Sequence, residues 1–159
     1  MSQIIHQRIA NLLGNLGLLP FYALALAAWL PLPPLTARLV ELGFIAYAAV
    51  ILSFLGAVHW GLAMSTPQLD KAQARTALGW GVLPSLLGWL VLLLALAGVP
   101  TWLTCTLLLL DFALCRMMDG GLARLYAALP AWYLPMRTRL TALAMVAVAI
   151  LLFSSLRGS

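Results

Sequence analysis

The stretch LTARLVELGFIAYAAVILSFLGAVHWGLAM, residues 35–64, decides the fold. After Arg38 and Glu41 no Asp, Glu, Lys or Arg appears before its end at Met64. A helix crosses the hydrocarbon core of a bilayer with about 20 apolar residues, and this run exceeds that length. It must therefore tilt or protrude, and Arg38 and Glu41, at helical i,i+3 spacing, suit a solvated start.

The same character extends through the chain. Of 159 residues, 64% are apolar and 8% are charged, against about 25% charged in an average soluble domain. That balance excludes a soluble globule, a disordered chain and a disulfide scaffold. The net charge of +5 comes from nine scattered basic residues without a run or a basic face, which excludes a nucleic-acid partner.

Outward from the central run, four more segments read as spans: 9–30, 76–97, 101–117 and 138–156. The first, with Ala23, Ala25 and Ala27 near its end, has the look of a secretory leader. It is long enough to cross, so an uncleaved helix is expected, kinked at Pro20. Pro31, Pro33 and Pro34 make a rigid turn. Thr66 and Pro67 suit the cap and first turn of a helical lead into the third span. Gly98-Val99-Pro100 is a tight turn, making the third and fourth helices antiparallel neighbours. Asp119-Gly120-Gly121 is expected to break the fourth helix. The following 122–136, with Leu125, Tyr126, Leu129, Trp132 and Tyr133, suits a segment lying in the membrane interface. The expected fold is all-α: an integral membrane bundle of five transmembrane helices, a single domain over 1–159, with that interfacial segment between helices four and five.

Basic residues set the orientation. Arg8, Lys71, Arg75, Arg116, Arg124, Arg137 and Arg139 fall on one side, against Arg38 and Arg157 on the other. The positive-inside rule then puts the amino end in the cytoplasm and the carboxyl end outside. A bacterial inner membrane is the expected location. Trp132, Tyr133, Arg137 and Arg139 read as interfacial anchors.

Polar groups within hydrocarbon need partners, so each is a candidate. His59 and Asp111 are the titratable groups expected deep inside spans. His59 lies about 7.5 Å back from the helix end at Met64, and Asp111 about 9 Å back from an end at Met117. They are expected to share a level on the cytoplasmic side, with Trp60, Trp80, Asn15, Ser53 and Ser85 as further lining. Small residues repeat at helical spacing in the second helix (Ala46, Ala49, Ser53, Gly56, Ala57) and in the third (Gly81, Ser85, Gly88). Such stripes let helices approach closely.

No phosphate loop, nucleophile elbow or HExxH pattern occurs. No catalytic residue and no metal site are expected. Cys105 and Cys115 read as packing residues.

Ser53-Phe54-Leu55-Gly56-Ala57-Val58-His59-Trp60-Gly61 resembles the hallmark stretch of a family of small bacterial membrane proteins of unknown function, which also includes a small human mitochondrial transmembrane protein. Leu78-Gly79-Trp80-Gly81-Val82-Leu83-Pro84-Ser85 resembles its second block. Leu110-Asp111 followed by Arg116, and the run from Leu129-Pro130-Ala131-Trp132-Tyr133 to Arg139-Leu140-Thr141, resemble later ones. The resemblance implies that His59, Trp60, Trp80, Asp111 and Trp132 are recurring features of the family, and it brings no activity with it.

The expected role is non-enzymatic: an accessory, assembly or small-ligand-binding protein built on a His59/Asp111 cluster, without a resident cofactor. The alternative is a proton-linked carrier, or a binder of a quinone or lipid, acting through that cluster. Membrane lipid is the expected partner, with a homo-oligomer or another membrane protein beside it.

Overall fold

A computed structural model describes residues 2–122 and 129–157, and every regular element among them is helical. They are α1 (Ser2–Leu16), α2 (Leu19–Ala27), α3 (Pro34–Met64), α4 (Lys71–Leu96), α5 (Thr101–Leu122) and α6 (Tyr133–Arg157). Together α1 and α2 make one crossing, Ile4–Ala27, so five helical stretches are long and apolar enough to cross a membrane. The break between them falls at Gly17–Leu18, with Pro20 in the first turn of α2. Proline lacks the N–H that would continue the ladder. The Tyr47 hydroxyl donates to the Gly17 carbonyl at 2.7 Å and so satisfies a main-chain oxygen at the break.

The core is built from Phe21, Phe44, Leu52, Leu108, Phe112 and Val148. Phe21 meets Phe44, Tyr47 and Phe112 edge-on, at ring separations of 5.3, 5.0 and 6.1 Å. That is the favoured geometry for aromatic pairs. The first crossing is peripheral: along Ile4–Ala27 only Phe21 and Ala25 are buried.

The small-residue stripes do their expected work between α3 and α4. A Cβ on Gly56 would stand 2.5 Å from the Gly81 carbonyl oxygen, and one on Gly88 would stand 3.1 Å from Ala49 Cα. Only hydrogen at these positions permits so close an approach of two backbones. The Trp60 ring lies over Gly81 and donates its indole N–H to the Leu78 carbonyl at 3.0 Å.

Three boundaries differ from expectation. The helix expected to start at Thr66 starts at Lys71 instead. Asp70 and Gln73 form a reciprocal capping box there, with Gln73 N–H on Asp70 Oδ1 at 2.8 Å and Asp70 N–H on Gln73 Oε1 at 3.1 Å. A box satisfies two orphan donors where the Thr66 hydroxyl could satisfy one; that hydroxyl turns back to the Leu62 carbonyl. The second difference is that α5 runs through Asp119-Gly120-Gly121 to Leu122. The third is that α6 begins at Tyr133, so Tyr133 and Met136 belong to a helix rather than to an interfacial segment. Of that segment, Leu125 and Tyr126 lie outside the described residues, as does Arg124.

At the α4–α5 turn, Gly98 adopts φ +87°, and the Val99 N–H reaches the Leu94 carbonyl, closing α4 with a Schellman motif. Arg38 is not simply solvated. It pairs with Glu41 at 3.2 Å and donates to the Ala95 carbonyl at the α4 end. Glu41 in turn accepts from the Thr101 hydroxyl at 2.7 Å. Three helix ends are tied there.

Candidate binding site

At the other end of the bundle α3, α5 and α6 each contribute one side chain to a buried network. His59 Nε2 lies 3.0 Å from Asp119 Oδ1. Arg137 Nε donates to Asp119 Oδ2 at 2.7 Å, and Arg137 Nη2 donates to Oδ1 at 3.2 Å. The same Nη2 reaches the Leu55 carbonyl at 2.9 Å and the Cys115 sulfur at 3.9 Å. His59, Asp119 and Arg137 are each 4–5% exposed. A carboxylate and a guanidinium so buried are tolerable because each is charge-compensated and hydrogen-bonded.

The expected His59/Asp111 pair is therefore not the one formed. Both α3 and α5 run toward this end, and His59 faces Asp119, 60 positions on. At that register Asp111 stands level with position 51, about 12 Å further along the axis than Asp119. The sequence argument ended α5 at Met117, and the five extra residues to Leu122 move every depth estimate by more than a turn. Asp111 is 4% exposed, and neither of its carboxyl oxygens has a hydrogen-bond partner among the described residues.

The remaining candidates do not converge on His59. Ser53 and Ser85 bond back to their own helix, at the Ala49 and Val82 carbonyls. Trp80 packs with Ala77 and Leu122 in a satellite apolar cluster. Asn15 and Asn11 both accept from Arg139 Nη2, at 3.1 and 3.0 Å, joining α1 to α6. Trp132 stacks edge-on with Tyr133 at 6.4 Å, and its buried indole N–H lacks a partner among the described residues. Arg137, expected as an interfacial anchor, is buried in the network.

Asp119 and Arg137 are the residues that sequence reasoning misplaced. Asp119 read as part of a Gly-rich breaker. For Arg137 a signal was present. Residues two apart on a helix point about 200° apart. Arg137 and Arg139 therefore lie on opposite flanks of α6, so one of the two is on the flank that faces the bundle.

Beside the network a cleft of about 400 Å3 opens between α1–α2, α3 and α6. Leu13, Gly14, Phe54, Val58, Phe112 and Leu140 are among its apolar walls, while Tyr133, Arg137 and Thr141 supply its polar groups. Arg137 commits Nε and Nη2 to Asp119, Leu55 and Cys115, and its Nη1 makes no hydrogen bond to the described residues. A second hollow of about 250 Å3 is lined by Gln7, Asn11, Trp132, Pro135, Met136 and Arg139. Met136 lines both spaces, which makes them neighbours.

A family model described as "Protein of unknown function (DUF3429)" matches residues 6–153, nearly the whole chain. No curated protein and no solved structure matches it. The chain belongs to the DUF3429 family.

Proposed function

We propose that this DUF3429 member is a non-enzymatic accessory protein that holds an amphiphile, a quinone or a lipid, within the bilayer. One observation carries the reading: an apolar cleft beside the first crossing, with the Asp119-bound Arg137 among its lining residues. Ligand sites of this kind combine apolar walls with a few placed polar groups. The walls suit a hydrocarbon body. Arg137 Nη1 offers a donor to an oxygen on the ligand. Asp119 already balances the Arg137 charge, so that donor suits a carbonyl rather than a second anion. His59 and Asp119 position Arg137 and hold α3, α5 and α6 together.

We further infer a bacterial inner membrane with the amino end in the cytoplasm. Support comes from Arg8, Lys71, Arg75, Arg116 and Arg139, which cluster at the end of the bundle that carries the network.

Protein extracted in mild detergent and sprayed intact should carry a bound amphiphile in its native mass spectrum. Ala10 lines the cleft from α1, and Ala10→Phe, which fills the space, should release it. Equal retention by Ala10→Phe and the parent would overturn the reading.

Asp111 favours a second reading, a proton-linked carrier. A carboxyl group without a partner inside a span is a rare and expensive feature, and such residues mark proton pathways by default. Proton uptake by vesicles containing the protein, lost in Asp111→Asn, would support it. Uptake no faster than in empty vesicles would end it.

A further inference from the structure

We propose that the hollow formed by Gln7, Trp132 and Arg139 is a headgroup site for an anionic phospholipid whose acyl chain enters the adjoining cleft. This rests on the cleft binding an amphiphile and names the class. The first support is charge. Arg139 has amide partners, Asn11 and Asn15, but no carboxylate within ion-pair distance among the described residues. Among the described residues, no acidic side chain lines the hollow. Its positive charge is left for an outside anion, whereas Arg137 is balanced by Asp119. The second support is Trp132, which lines the hollow and whose buried indole N–H has no acceptor among the described residues. A buried donor calls for an acceptor. A phosphate oxygen supplies one, and it also accepts from Arg139.

The third support is continuity. Met136 borders both spaces, so a headgroup at Arg139 hands its chain past Met136 into the walls formed by Leu13, Phe54 and Leu140. Arg137 also lines the cleft, and we assign to it the ester carbonyl that follows the phosphate. Head, linkage and chain thus meet Arg139, which has no carboxylate partner among the described residues, then Arg137 and an apolar wall. A quinone matches the last two and leaves Arg139 unbalanced.

The test uses delipidated full-length protein in detergent, titrated by native mass spectrometry with phosphatidylglycerol, with phosphatidylcholine of the same chains, and with inorganic phosphate alone. Phosphatidylglycerol should bind about fivefold or more tightly than phosphatidylcholine, the scale set by one basic side chain near an anionic lipid. Arg139→Gln should abolish that preference while retaining both lipids. Trp132→Phe, which removes the donor and keeps the ring, should weaken phosphatidylglycerol alone. Ala10→Phe should displace both lipids. Equal binding of the two lipids by the parent, with both displaced by Ala10→Phe, overturns the headgroup site and leaves the cleft standing. Lipid binding untouched by Ala10→Phe overturns the cleft as well. Arg139-dependent binding of inorganic phosphate as tight as that of the lipid overturns the lipid assignment.

Discussion

Arg137 grips Asp119 through two N–O contacts, of 2.7 and 3.2 Å, across the α5–α6 interface. Pairs buried this deeply add little net stability over an apolar replacement, but removing one member strands the other. Asp119→Ala or Arg137→Ala should each cost about 3–5 kcal/mol. The double replacement Asp119→Leu/Arg137→Met should recover most of that loss. Thermal unfolding in detergent checks both. A double variant as unstable as the two losses added together would contradict the pairing.

Asp111 should behave in the opposite way. Its carboxyl makes no hydrogen bond to the described residues that substitution could break, and burying an unpartnered polar group costs about 1–3 kcal/mol. Asp111→Leu should leave the melting temperature unchanged or raise it. A fall as large as that of Asp119→Ala would mean that Asp111 has a partner.

The contact of α3 with α4 predicts a contrast among glycines. Gly56→Ala drives a methyl into the Gly81 carbonyl, whereas Gly61 has nothing within 4 Å of the position a Cβ would take. Gly56→Ala should destabilise by about 1–3 kcal/mol, the range for overpacking. Gly61→Ala should be neutral or stabilising by a few tenths, since alanine is the better helix former. The same melting assay orders them.

Orientation is open to direct labelling. With Cys105 and Cys115 buried, a cysteine placed at Gln68 should react with a membrane-impermeant maleimide from the cytoplasmic side, and one at Val99 from the outer side. The reverse pattern would invert the topology.

Segment identity was readable from hydropathy because five crossings need five long apolar runs, and nothing in tertiary packing overrides that. Helix ends were less readable. Gly120 and Gly121 are poor helix formers, yet α5 continues through them, next to an Asp119 held by His59 and Arg137. Those partners lie 60 positions before and 18 after it, beyond the reach of local propensity. The misplaced end at Met117 then carried Asp111 to the wrong depth and hid the true partner of His59. The Asp70–Gln73 box, by contrast, was written locally and could have been read as a start signal.

Glu41 accepts from Thr101, 60 positions on, and His59 meets Asp119 at the same offset. The two bridges are separated by 18 residues on each helix (59 − 41 and 119 − 101), which is five full turns and about 27 Å. Both bridges therefore leave the same flank of each rod, one near each border of the hydrocarbon slab. Between them the buried side chains are mostly apolar, Phe44, Ala48, Leu52, Leu108 and Phe112 among them, and apart from Asp111 carry no charge that would fix a register. A slip of one turn would tear both rivets at once, so the sliding coordinate of α3 against α5 is locked by polar chemistry at its ends and not by the greasy middle.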